Sequence, residues 1–132
     1  MNHPLLSQDW IEEYHRRWNE NDRAMNGVKG LEMIVEMRVT DAADRPPVQL
    51  HIRGKDGVVD YAGPVQPGKK ATFRLSAPVE TWRKVAQGEM GVRRAVTGPI
   101  KFQGSLVTAL KYFDGLEAAL LQFGDIPTQE WS

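Results

Sequence analysis

Alternation in the decapeptide LEMIVEMRVT, residues 31–40, restricts the fold more than any other feature of the chain. Leu31, Met33, Val35, Met37 and Val39 point one way; Glu32, Glu36, Arg38 and Thr40 point the other, and Ile34 is the single exception. A period of two places these sets on opposite faces of a strand. The strand therefore belongs to a sheet with one face covered and one face mostly wet. The cover must come from elsewhere in the chain, and the stretch SLVTALKYFDGLEAALLQF can supply it. Its residues Leu106, Ala109, Leu110, Phe113, Leu116, Leu120 and Phe123 recur at helical spacing, and Val107 and Leu121 widen the stripe. One continuous helix about 28 Å long is expected there. Five strands spaced ~4.8 Å apart span slightly less, so such a helix could lie across the whole inner face.

The remaining segments fill in the layers. Ser7 is a candidate N-cap for a helix over about 8–23, whose apolar positions are Trp10, Ile11, Tyr14 and Trp18. VQLHIRGKDGVVDYAG reads as a hairpin turning at Asp56-Gly57. Counting outward from a two-residue turn sets Arg53 against Asp60 on the wet face and Ile52 against Tyr61 on the inner one. PVQPGKK is a crossover loop, and ATFRLS resumes the alternation with Ala71, Phe73 and Leu75 on the apolar side. Pro78 suits a helix start; Val79, Trp82, Val85 and Ala86 form the inner stripe, and Gly88 ends it. A helical piece, GVRRAVTG, leads to the strand IKFQ, with Ile100 and Phe102 inward. The expected fold is α+β, a five-stranded mixed sheet with one face covered by helices, in the order helix, three strands, crossover, strand, helix, strand, helix. Residues 1–132 make one domain, with a core over about 8–123 and a tail over 124–132 in which Trp131 could reach a neighbouring subunit.

Composition narrows the function. No cysteine is present, no apolar run approaches the ~20 residues of a membrane span, and neither end carries a secretory, peroxisomal or retention signal. The expected location is cytoplasmic. His3, His15 and His51 share no metal-ligand spacing, and the chain has no phosphate loop, nucleophile elbow or zinc motif. Neither an enzyme nor a cofactor is expected. His51 and Asp60 resemble an acid–base pair, but the hairpin register gives Asp60 to Arg53. Residues 69–111 hold nine Lys or Arg against two Asp or Glu. That block lacks the interleaved aromatics of a nucleic-acid surface, so no nucleic acid is expected as partner.

Within the basic block, TFRLSAPVETWRKVAQGEMGVRRAVTGPIKFQGSLVTALKYF resembles the sterol carrier protein type two domain, with family glycines at Gly88, Gly98 and Gly104. The likeness extends over roughly residues 8–123. It implies a helix-covered sheet enclosing an apolar tunnel for fatty acyl, acyl thioester or sterol-like ligands. On that basis the expected ligand-binding residues are Met33, Val35, Met37, Leu50, Phe73, Trp82, Phe102, Leu106, Leu110, Phe113 and Leu116. The expected partner is a hydrophobic small molecule. Arg83, Lys84, Arg93, Arg94, Lys101 and Lys111 would meet an anionic headgroup or make transient contact with an anionic membrane, or else form an ordinary solvated face. Gly115 would be a flexible joint in the last helix or a point of close packing. Two other readings stay open: an interaction module of the same fold with a filled core, and a small enzyme using the same pocket. The oligomeric state is open too, a homodimer included.

Overall fold

Five strands form one sheet: β1 (Met33–Val39), β2 (Val48–Ile52), β3 (Val59–Pro64), β4 (Phe73–Ala77) and β5 (Lys101–Gln103), in the order β3-β2-β1-β4-β5. The central β1 and β4 run parallel, and every other neighbouring pair is antiparallel. Among the described residues six helices accompany them: α1 (Gln8–Trp18), α2 (Asp22–Val28), α3 (Val79–Ala86), α4 (Val92–Val96), α5 (Leu106–Lys111) and α6 (Phe113–Leu121), followed by two short 3-10 turns. This computed structural model describes residues 2–131. The fold is α+β with a mixed five-stranded sheet. Met33, Met37 and Val39 of β1, Leu50 and Ile52 of β2, and Phe73 and Leu75 of β4 are buried on the inner face, as the alternation demands.

Four expectations are corrected. The first helix stops at Trp18 and a second begins at Asp22, because Asn21 turns extended and its side chain accepts from the Ala24 amide at 3.1 Å. The hairpin carries an irregularity at His51/Ile52, so Ile52 lies opposite Val59 and Tyr61 opposite His51. Arg53 accordingly pairs not with Asp60 but with Asp56, at 2.8 Å. Tyr61 joins the outer face, its ring 4.7 Å from that of His51.

The last helix is not continuous. Tyr112 sits at φ −106°, ψ 30° and divides α5 from α6. Nor is the outer face simply wet. The crossover loop folds onto it, and Gln49 is fully buried there, donating to the Lys69 carbonyl at 3.1 Å and accepting from the Gln66 amide at 3.3 Å. Glu36, also buried, is held by Arg38 at 3.2 Å. Burying a carboxylate is costly without such a partner.

An aromatic column fastens the helices at one end of the sheet. The Phe123 ring lies 4.9 Å from Trp10, 5.6 Å from Tyr14 and 4.9 Å from Trp82, all four side chains being buried. Each polar atom in the column has a partner: Trp10 Nε1 donates to Thr128 Oγ1 at 2.9 Å, Tyr14 Oη to the Ala119 carbonyl at 2.7 Å, and Trp82 Nε1 to the Ala77 carbonyl at 3.1 Å. Thr128 belongs to the expected tail, which is integrated with the rest of the structure. The His3 amide donates to the Pro127 carbonyl, Gln129 returns a bond to His3, and Glu130 accepts from both Leu5 N and Arg45. Trp131 is half-buried against its own core rather than held out for a neighbour.

Candidate functional site: an apolar cavity under the broken final helix

Between the inner sheet face and the helices lies a cavity of about 50 Å³. Its floor is Met33, Val35 and Met37 of β1, Leu50 and Ile52 of β2, Phe73 and Leu75 of β4, and Phe102 of β5. Tyr14 and Trp18 of α1 and Val28 of α2 wall one side. The roof is Ala109, Tyr112, Gly115, Leu116, Ala119 and Leu120, contributed by α5, α6 and the break between them. Ala109, Gly115 and Ala119 add little bulk to that roof.

Gly115 has a reason to be small. A methyl on its Cα would lie 2.7 Å from the Gly27 carbonyl carbon and would also strike the Val28 side chain. α2 and α6 therefore cross backbone against backbone, and Gly115 is a point of close packing, not a joint. Mobility has a better candidate one helix earlier. Ala109 is the sole buried residue of α5, whereas Leu106, Val107 and Leu110 are all exposed.

The lining carries no reactive group. Its hydroxyls are those of Tyr14, whose proton goes to the Ala119 carbonyl, and of Tyr112, which lies near Gly30. Burial pushes the Tyr14 phenol up, so it stays protonated and serves as a structural donor. His51 is on the opposite face of the sheet, with Nε2 3.1 Å from Gln49 Oε1. Desolvation holds its pKa below the ordinary histidine value, while Asp60 opposes that shift. Among the described residues, no three His, Asp or Glu side chains cluster to hold a metal, and no helix is long and apolar enough to cross a membrane.

The sequence profile of the SCP-2 sterol transfer family matches residues 11–117. The chain belongs to that family. Its fold agrees with the crystal structure of sterol carrier protein 2 at a TM-score of 0.77 and 18% identity, over 92% of this chain and 98% of that one. It also agrees with the solution structure of a conserved hypothetical protein from Thermus thermophilus, described as possibly a sterol carrier protein, at 0.73 and 18%, over 97% and 94%. The solution structure of palmitated SCP2L2 from Aedes aegypti is more distant, at 0.50 and 18%, over 79% and 93%. No curated protein matches the sequence. The SCP-2 family fold is a lipid-binding and transfer fold, so the apolar cavity is its candidate site.

Of the expected ligand-binding residues in this SCP-2 family chain, Met33, Val35, Met37, Leu50, Phe73, Phe102 and Leu116 are brought together around the cavity. Four others are not. Trp82 is fully buried but stacks on Phe123. Phe113 lies under the Arg93 guanidinium, 4.5 Å from it. Leu106 and Leu110, on α5 before the break at Tyr112, are about two-fifths exposed. The helical stripe that groups them with Leu116 assumes an unbroken helix. Tyr14 and Trp18 were legible as the inner stripe of α1, and Ala109 as part of the last stripe; Gly115 and Ala119 were not read as lining, since attention to large side chains passes over small ones. The basic group also divides: Arg83 is neutralised by Glu80 and Glu89, whereas Arg94, Lys101 and Lys111 have no acidic partner within ion-pair distance among the described residues.

Proposed function

We propose that this protein binds and carries a single-chain lipid, a fatty acyl chain foremost, with the tail in the cavity and α5 as its movable roof. One observation carries the reading: an apolar cavity at the family's candidate site is roofed at one edge by a helix that has only one buried side chain. Lifting α5 would expose Ala109 and the remaining halves of Leu106 and Leu110, at about 2–4 kcal/mol. A cost of that size leaves the open state a minor but accessible population. Burying ten methylenes returns ~8 kcal/mol at ~0.8 kcal/mol each, which exceeds it. At about 50 Å³ the cavity is far below the about 300–1,000 Å³ of pockets for drug-sized ligands, so any lipid must widen it, and a flexible chain needs less widening than a rigid sterol. A chain can enter a narrow void segment by segment; a fused ring system needs the whole width at once. The palmitated state of the Aedes aegypti relative agrees with this preference.

The same small volume favours a second reading, an interaction module whose core is filled. Organic extraction of the purified protein with mass spectrometry, and titration of delipidated protein with a fluorescent fatty acid in vesicle-free buffer, separate the two. The carrier reading expects recovered acyl chains and saturable uptake near one per chain. A clean extract together with no uptake would establish the filled module.

A further inference from the structure

Among the described residues, five large apolar side chains stand exposed: Val65, Leu106, Val107, Leu110 and Leu121. Three of them are on the six-residue α5, with Val107 81% exposed. At 3.6 residues per turn these three fall within a 100° arc, so they form one apolar edge rather than scattered points. Two cations flank that edge. Lys111 is on α5 itself, and Arg93 covers the ring of Phe113 just past the break. No Asp or Glu occurs between residues 90 and 113. The nearest acids along the chain are engaged elsewhere, Glu89 by Arg83 and Glu117 by Arg23, and Asp114 is 4.0 Å from Arg23.

We infer that the α5 edge docks on an anionic phospholipid surface, with Leu106, Val107 and Leu110 inserted and Lys111 and Arg93 at the headgroups. An apolar edge flanked by cations is complementary to a bilayer whose headgroups are negative and whose interior is apolar. A second copy of this chain is a poorer occupant. A two-fold contact would set the same cations against one another. The docking has a consequence that rests on the carrier reading above: side chains drawn into the bilayer lift α5, with its buried Ala109, off the cavity, so the site opens where the lipid is.

Vesicle co-sedimentation tests this, using phosphatidylcholine vesicles with and without phosphatidylglycerol. The protein should bind the anionic vesicles and release as salt rises, because screening shortens from ~10 Å at 0.1 M to ~3 Å at 1 M. Lys111→Gln and Arg93→Gln should each weaken binding about fivefold, a conversion of ~1 kcal/mol per charge. Val107→Glu, at a site too exposed to disturb folding, should weaken it roughly tenfold or more. Val65→Glu, equally apolar but on the crossover loop, should bind as wild type. The inference is overturned by wild-type binding that is absent or equal on neutral vesicles. It is also overturned if Val107→Glu retains binding, if Val65→Glu loses as much, or if sedimentation shows a dimer that Val107→Glu dissolves. Fatty-acid uptake from vesicle-free buffer is measured alongside on the same variants. Vesicle binding without uptake leaves the docking edge standing and removes the carrier reading.

Discussion

The aromatic column around Phe123 and the helix α5 at the edge of the roof are held by different means. In the column, four large side chains are buried, in ring contact, and have every polar atom bonded. In α5, one alanine is buried, three larger side chains face out, and the helix is cut from its successor at Tyr112. The tail strengthens the first region only: Glu130 accepts from Leu5 N at 2.8 Å and from Arg45 at 2.6 Å, binding both chain ends together. A carrier needs such an asymmetry. One region must hold its shape while the other yields at a cost a ligand can offset.

The largest expected effect lies in the column. Phe123→Ala should cost about 3–5 kcal/mol in chemical denaturation, since it removes the ring that Trp10, Tyr14 and Trp82 share. A loss below about 1 kcal/mol would break the contrast. Next comes Gly115→Ala, where the added methyl meets the α2 backbone. Overpacking of that kind costs about 1–3 kcal/mol, whereas a flexible joint at Gly115 would be stabilised by alanine. Leu110→Ala in the roof should change stability by less than about 1 kcal/mol. A larger loss would mean that α5 is as firmly seated as the column.

The smallest effect concerns pH. Arg16, with help from Arg17, holds the Glu13 carboxyl at about 2 against an ordinary 4.5. A depressed acid contributes stability that is present above pH 4.5 and lost as pH falls toward 2. Glu13→Gln should therefore show a shallower loss of stability through that window. An unchanged acid limb would remove Glu13 from the anchoring of α1.

What the sequence could show follows from which features are local. Alternation over 31–40 is a backbone property, and it located the inner face, Met33, Val35 and Met37 included. The break at Tyr112 is hidden because the apolar period runs through it without glycine or proline. Gly115 drew attention for a sound reason, helical glycine being costly, but its partner Gly27 is far off in the chain and visible only in the fold. The hairpin register failed on an assumed two-residue turn, which the Arg53–Asp56 pair and the irregularity at His51/Ile52 replace. The outer face misled similarly, since Gln49 and Glu36 are buried there and held by partners that alternation alone does not reveal.

Amide hydrogen exchange across the whole chain, with and without palmitic acid, bears most directly on a yielding roof over a rigid frame. The amides of α5 should exchange far faster than those of α1 in the free protein, and palmitate should slow α5, α6 and the inner-face strands while leaving the column as it was. Equal protection of α5 and α1, with no response to palmitate, would contradict the account.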